Sequence, residues 1–273
     1  MTAASTFAAL HHSLVLDRQE IAPGIVLLGF DAPDLVRVTR PGQFVMIVPP
    51  GGEVAATALG IYESSESRAS VLFFVVGKRT HELEMVRPGD SLTIAGPLGN
   101  GFTLGARDVA IVAGGVGIAS VLLPAIELLR AGARVRLYYG ARTAQLLVER
   151  ERFAREGCEL HLATDDGSLG HRGYVTELLA QTSDRPEMIL ACGPTPMLRA
   201  VGSLAVEMNV PAQLSLEETF ACGVGGCWGC VVPLAGTSLQ APGFPPAAQN
   251  GSDVVYARVC KEGPVFWAHE LRW

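Results

Sequence analysis

Apolar positions follow two rhythms along this chain. Up to Phe102 they come in short runs rich in β-branched and aromatic residues: Ile25 to Phe30, Gln43 to Val48 and Val71 to Val76. Turn-forming punctuation separates them at Pro41-Gly42, Pro49-Pro50-Gly51-Gly52 and Pro88-Gly89. Short strands at such close intervals predict a small antiparallel barrel. The polar stretch Glu63 to Arg68 reads as a hairpin loop between two of them. From Asp108 the rhythm lengthens. Strands are predicted at Val109–Ala113, Arg134–Tyr139, Glu159–Thr164 and Met188–Cys192, with helices over about Ala119–Arg130, Thr143–Glu156 and Val175–Ala180. Alternation of this kind predicts a parallel, doubly wound sheet. The pattern changes again after Pro211. The expected organisation is therefore multidomain, α/β plus β, with units at 1–104, 105–211 and 212–273.

Composition narrows the function classes. The 273 residues are 49% hydrophobic, enough for each unit to bury a core. The formal net charge is −6 and there is no basic block, so nothing points to nucleic acid. No apolar run approaches the roughly 20 residues that cross a bilayer. The N-terminal stretch lacks a basic start and carries His11 and His12, unlike a secretory signal. The expected location is cytoplasmic, where close cysteines read as metal or redox sites rather than disulfides.

The cysteines carry the strongest chemical signal. Cys222-x4-Cys227-x2-Cys230, with Cys260 remote, is the plant-type spacing of a [2Fe–2S] cluster. Gly223, Gly225, Gly226 and Gly229 lie between them, and a loop that points backbone N–H groups at sulfur needs residues free of a Cβ. Zinc also takes four thiolates, but its usual spacing is two close pairs. Beyond Cys260, the segment Val265 to Trp273 holds Phe266, Trp267 and Trp273, which either cover the cluster segment or dock a partner.

Three further motifs are weaker alone. Gly114-Gly115-Val116-Gly117 follows a predicted strand and opens a helix, where a pyrophosphate can approach the backbone. It is not the full G-x-G-x-x-G pattern, and a tight turn without ligand explains it almost as well. Cys192-Gly193-Pro194 ends a strand at the sheet edge where ligands sit, although a buried structural cysteine is common. Gly96 to Phe102 lies at the seam between barrel and sheet, as an inter-domain turn or part of a ligand cleft.

Taken in order, these motifs resemble those of the electron-transfer subunit of two-subunit, NAD-linked dihydroorotate dehydrogenases, within the ferredoxin reductase superfamily. Arg40 to Phe44, Arg87 to Asp90, Gly96 to Phe102, Ala113 to Ala119, Thr164 to Ser168 with Gly173, Ala191 to Met197 and Ser215 to Glu218 carry the resemblance. So do Cys222 to Cys230 and Val259 to Phe266, and together the segments span nearly the whole chain. The resemblance implies an FAD-binding barrel, a Rossmann-like NAD-binding domain and a C-terminal [2Fe–2S] domain. It also implies an FMN-containing catalytic partner that oxidises dihydroorotate, in a pair of heterodimers (a heterotetramer). Electrons would pass through the cluster to FAD and leave as hydride to NAD⁺, because nicotinamide takes only hydride, a cluster carries single electrons and a flavin does both. By position, Cys222, Cys227, Cys230 and Cys260 would ligate the cluster. Gly114, Gly115 and Gly117 would lie on the NAD phosphates, with Cys192 and Gly193 near the nicotinamide and Asp165 and Asp166 in the same cleft. Thr57, Leu59, Gly60, Gly77, Thr80 and Gly96 map to the flavin side.

One departure stands out. The family carries an Arg-Pro-x-Ser flavin motif where this chain has Thr57-Ala58-Leu59-Gly60. Losing the arginine removes a charge-assisted contact worth roughly 1.5–3 kcal/mol. Arg79, beside Thr80, is a candidate replacement for that charge, or else a solvated side chain. Two other functions stay open: the same cofactor module serving a different partner, and an iron–sulfur protein that no longer binds flavin.

Overall fold

The computed structural model describes residues 9–51, 56–235 and 254–273. The Pro242–Pro246 loop, Gly52 and the first eight residues of the N-terminal stretch fall outside the described residues.

The first unit is a closed antiparallel barrel. Its strands are β1 (Ala9–Ala22), β2 (Ile25–Asp31), β3 (Phe44–Val48), β4 (Thr57–Ser65), β5 (Arg68–Phe74) and β6 (Ser91–Leu98), in the order β1-β2-β5-β4-β3-β6. Two short helices, α1 (Pro33–Val38) and α2 (Lys78–Glu84), fill the longer connections. The Glu63–Arg68 stretch is a hairpin, tighter than composition implies: β4 runs to Ser65, β5 starts at Arg68, and Glu66 takes φ 54° in the turn. Val26, Leu28, Val45, Ile47, Ile61, Val71, Phe73 and Ile94 fill the barrel interior. The longest strand, β1, gives no such signal in the sequence. Its Leu14 is 54% exposed while neighbouring Ser13 is 3% exposed, so the usual apolar-in, polar-out alternation is inverted there.

The second layer is a seven-stranded sheet. It contains β7 (Asp108–Gly114), β8 (Arg134–Ala141), β9 (Glu159–Thr164), β10 (His171–Arg172), β11 (Met188–Cys192), β12 (Ala212–Ser215) and, near the C-terminus, β15 (Val265–Trp267). The order is β10-β9-β8-β7-β11-β12-β15, parallel throughout except for β15. Helices α3 (Leu122–Arg130), α4 (Arg150–Glu156), α5 (Val175–Ala180) and α6 (Thr195–Met208) flank it. The predicted Thr143–Glu156 helix is split into a 3-10 turn at Ala144–Leu146 and α4, with Glu149 at φ 60° in the break. The helix expected from Ala119 begins later, because Gly115–Ser120 forms a 3-10 turn first.

The segment from Ala212 onward is woven into this sheet rather than appended to it. β12 and β15 complete one edge, and a separate hairpin, β13 (Val231–Ala235) with β14 (Val254–Arg258), follows the cysteine-rich loop. One continuous core joins Phe44, Met46 and Leu98 of the barrel to Ala191 and Leu214 of the sheet and to Phe220, Val259 and Phe266. Among the described residues no helix is long and apolar enough to cross a membrane.

Candidate functional site

The sheet topology marks one place for a ligand. From β7 the order runs through β8 to β9 in one direction, and from β11 to β12 in the other. The carboxyl ends of β7 and β11 therefore flank a switch point, where open α/β sheets bind their ligands. Both motifs ending those strands meet there. Gly117 abuts the backbone carbonyl of Cys192 so closely that a side chain would collide with it. A Cβ on Gly114 would lie 2.7 Å from Met197 Sδ and 2.9 Å from Pro194 Cδ. Gly193, at φ 154°, is pressed against the Gly114 backbone in the same way. Gly115 differs: its φ is 53° and nothing lies within 4 Å of its missing side chain, so it faces open space. Of the three glycines, two join the turns and one leaves its backbone open.

Cys192 is 1% exposed, and burial pushes its thiol pKa up, so the sulfur stays protonated. Its S–H donates to Glu217 Oε1 at 3.7 Å, and the nearby Ser120 and Ser215 hydroxyls favour the thiolate without reversing the effect of burial. Glu217 is exposed as a residue, yet its carboxyl lies against this thiol and loss of water raises its pKa. Asp165 and Asp166 follow β9, both exposed. The Asp166 carboxylate accepts from the Ser168 hydroxyl at 2.6 Å and its N–H at 2.9 Å, which lowers its pKa.

The flavin-side residues form two groups. Thr57, Leu59 and Gly60 lie on β4, paired with Ile47, Val45 and Phe44 of β3. Gly77 precedes α2, and the Thr80 hydroxyl accepts from the Val76 and Gly77 N–H groups at 3.0 and 3.1 Å. Arg79 joins them: its Nη1 donates to the carbonyls of Ala56 and Phe220, each at 3.3 Å. The guanidinium is thus held at the residue that precedes Thr57. Gly96 stands apart. It is buried in the barrel wall, where a Cβ would lie 2.7 Å from Val45 Cγ1, and its carbonyl meets His11 Nε2 at 3.1 Å.

The four C-terminal cysteines fall into two pairs. The Cys222 sulfur accepts from the Gly226 and Cys227 N–H groups at 3.2 and 3.4 Å, and the Cys230 sulfur accepts from the Cys260 N–H at 3.4 Å. Gly223, Gly225 and Trp228 adopt positive φ of 68°, 85° and 59°, which curls the backbone around the sulfurs. Burial opposes the Cys222 thiolate, but the N–H groups of Val224, Cys227 and Gly226 outweigh it and lower the pKa to about 6. Cys260 is pushed up to about 12 by burial and by its neighbour Cys230. Among the described residues no three ligating side chains converge on a single-ion site. Two sulfur pairs suit a cluster with two irons, each iron taking two protein thiolates. Arg258 braces the loop: it stacks 4.7 Å over the Trp228 ring, donates to the Gly225 carbonyl at 2.8 Å and pairs with Glu262. The cluster loop also rests on the barrel, with Phe220 centred 4.9 Å from Phe44 and Gly223 against Met46.

Sequence reasoning brings together Cys192, Gly193 and the glycine turn and groups the four cysteines, but their pairing emerges only in the structure. It misses Glu217, Ser120, Ser215 and Arg258. Glu217 lies inside a matching segment, but only the fold sets it beside Cys192.

Residues 247–272 match the model of the iron–sulfur cluster binding domain of dihydroorotate dehydrogenase B, and residues 111–203 match an oxidoreductase NAD-binding domain. The dihydroorotate dehydrogenase B (NAD(+)) electron transfer subunit of Desulforamulus reducens is 35% identical over 262 residues, covering 93% of this chain and 94% of the relative. A probable counterpart from Methanothermobacter thermautotrophicus is 37% identical over 238 residues, covering 87% and 82%. Among solved structures, a chain of the NADH-dependent reduced ferredoxin-NADP oxidoreductase superposes with a TM-score of 0.81 at 28% identity, covering 96% of this chain and 90% of that one. A ferredoxin NADP⁺ reductase from Neisseria gonorrhoeae, with a TM-score of 0.61 at 17% identity and covering 74% of this chain and 92% of its own, shares the fold. Barrel, sheet, cysteine loop and sequence agree: this chain belongs to the family of dihydroorotate dehydrogenase B electron transfer subunits.

Proposed function

We propose that this chain carries electrons from an FMN-containing dihydroorotate dehydrogenase subunit, through a [2Fe–2S] cluster and FAD, to NAD⁺ in the cytoplasm, as part of a heterotetramer. The observation that carries the reading is the packing of the cysteine loop directly on barrel strand β3, at Met46 and Phe44, while the same barrel abuts the switch point of the sheet. The one-electron and hydride sites of this reading would thereby be contiguous. When bound, FAD would convert single electrons from the cluster into the hydride that nicotinamide accepts.

The units 1–104, 105–211 and 212–273 would hold FAD, NAD and the cluster, with β12 and β15 lent to the central sheet. Cys222 with Cys227, and Cys230 with Cys260, would hold the two irons. Gly115 would face the NAD phosphates, with Gly114, Gly117 and Gly193 fixing the turns. The neutral Cys192 thiol would pack near the nicotinamide, and Asp165 and Asp166 would border the cleft. Thr57, Leu59, Gly60, Gly77, Thr80 and Gly96 would form or support the flavin side, and Arg79 would supply the charge that Thr57 lacks. Val224 in the cysteine loop and Val231 and Tyr256 on the β13–β14 hairpin are exposed, as is Cys227, and exposed apolar side chains of this kind suit a protein partner that delivers electrons.

Released flavin, iron and acid-labile sulfide per chain, measured on anaerobically purified protein, test the reading. FAD with equal iron and sulfide is expected. Zinc, or iron without flavin, would overturn the cluster or the hydride step respectively. For Arg79, Arg79→Ala is expected to lower flavin occupancy, and unchanged occupancy and affinity sink that assignment. A second reading, the same module serving another dehydrogenase, draws on the likeness to the ferredoxin-NADP oxidoreductase chain. Co-purification with a dihydroorotate-oxidising subunit separates the two.

A further inference from the structure

At the seam between barrel and sheet, Gly60 faces Ser120. A Cβ built on Gly60 would lie 2.7 Å from Ser120 Oγ, so the serine hydroxyl occupies the space that a side chain at position 60 would take. The two residues come from different units: Gly60 is on β4, and Ser120 closes the 3-10 turn after β7. Ser120 is not needed by its own helix. Val121 is the residue that caps α3, and no side-chain hydrogen bond caps it. The hydroxyl instead lies in the electrostatic neighbourhood of the buried Cys192 thiol, together with Ser215, and the thiol donates to Glu217 at 3.7 Å. Four polar side chains thus meet at the carboxyl ends of β7, β11 and β12, directly under the barrel strand that lacks one at Gly60. Ser120 is half-buried, so its hydroxyl is accessible at the seam and can both donate and accept there.

We propose that Ser120 is a positioning residue for hydride transfer: reaching across from the nucleotide side, it supplies the hydroxyl that Gly60 cannot. Set beside Gly60, it presents its donor or acceptor capacity to the ring system seated between β4 and the switch point. It transfers neither electrons nor protons. The inference rests on the proposed placement of FAD and NAD in this cleft. That placement is tested separately, because a flavin-free wild-type protein defeats it before any variant is made.

The decisive comparison uses the cofactor-loaded protein and three variants: Ser120→Ala, Ser120→Thr and the swap Gly60→Ser/Ser120→Ala. Ser120→Ala is expected to keep wild-type flavin, iron and sulfide content. Its single-turnover reduction by NADH should slow by roughly 10-fold, below the 10²–10³-fold loss of a donor aimed at a full oxyanion. Its flavin midpoint potential should move to a more negative value, since a donor favours the electron-rich reduced ring; a purely structural serine would leave the potential alone. Ser120→Thr keeps the hydroxyl and should hold both properties, and the swap should recover them by returning the hydroxyl from the barrel side. Wild-type rate and potential in Ser120→Ala overturn the proposal. So does a defect that neither the threonine nor the swap repairs.

Discussion

The cluster loop and the switch-point turns are both built from glycine and cysteine, yet they use them for opposite purposes. In the loop, Gly223 and Gly225 are needed for their backbone angles, which let N–H groups point at sulfur. At the switch point, Gly114 and Gly117 adopt no such angles and are needed for contact, because a side chain there would strike Met197 or the Cys192 backbone. The cysteines divide likewise. Cys222 is favoured as thiolate and suited to metal, whereas Cys192 is buried and held as a neutral thiol. Residue type alone therefore does not reveal the task. Backbone angle, burial and donor geometry do.

The contrast predicts separable failures, and the largest is chemical. Cys260→Ser should abolish the cluster's visible absorbance and its electron paramagnetic resonance signal on reduction. NADH oxidation with ferricyanide, which needs only the flavin and nucleotide units, should persist. If both are lost together, the two regions are one folding unit and the comparison breaks.

Next is Gly117→Ala. Overpacking against the Cys192 backbone should cost roughly 1–3 kcal/mol, seen as a lower urea midpoint and weaker NADH binding. Cluster content should be preserved, and a variant that lost iron but kept NADH binding would reverse the assignment of contact and angle.

Gly223→Ala forces a residue with a Cβ into φ 68° and against Met46, a strain of about 1–2 kcal/mol. Faster loss of iron during dialysis is the expected outcome, with NADH affinity unmoved. Iron retention equal to wild type would show that the angle is not what shapes the loop.

The smallest effect concerns Glu217. Burial raises its pKa in the folded state, so the folded protein holds that proton to higher pH than the unfolded chain does. The stability it contributes is complete below the unfolded carboxyl pKa of about 4.3 and is lost as pH rises through the folded value. Glu217→Gln should flatten the fall in melting temperature over that window. An unchanged slope would mean that the carboxyl is not desolvated beside Cys192.

Much of the architecture is legible in the residues. Glu159–Thr164, Met188–Cys192 and Val175–Ala180 fall where their patterns predict, the clearest being β11, whose Ile189 to Cys192 are all buried in the middle of the sheet and form a continuous apolar run. β1 is not legible, since its exposed leucines and buried Ser13 invert the pattern. The C-terminal strands β12 and β15 are four and three residues long, too short for periodicity to register, and their place in the central sheet depends on partners distant in sequence.

By itself the sequence determined the cysteine spacing, the alternation of strands and helices, and the two turns that end β7 and β11. These are local facts, fixed by neighbouring residues and by the backbone freedom each allows. Only the tertiary structure decided which glycine faces open space, that Arg79 is held at the residue preceding Thr57, and that Ser120 fills the place above Gly60. Those relations join residues from separate units of the chain. They come from how the barrel packs on the sheet, and packing of distant segments leaves no periodic trace in the order of the amino acids.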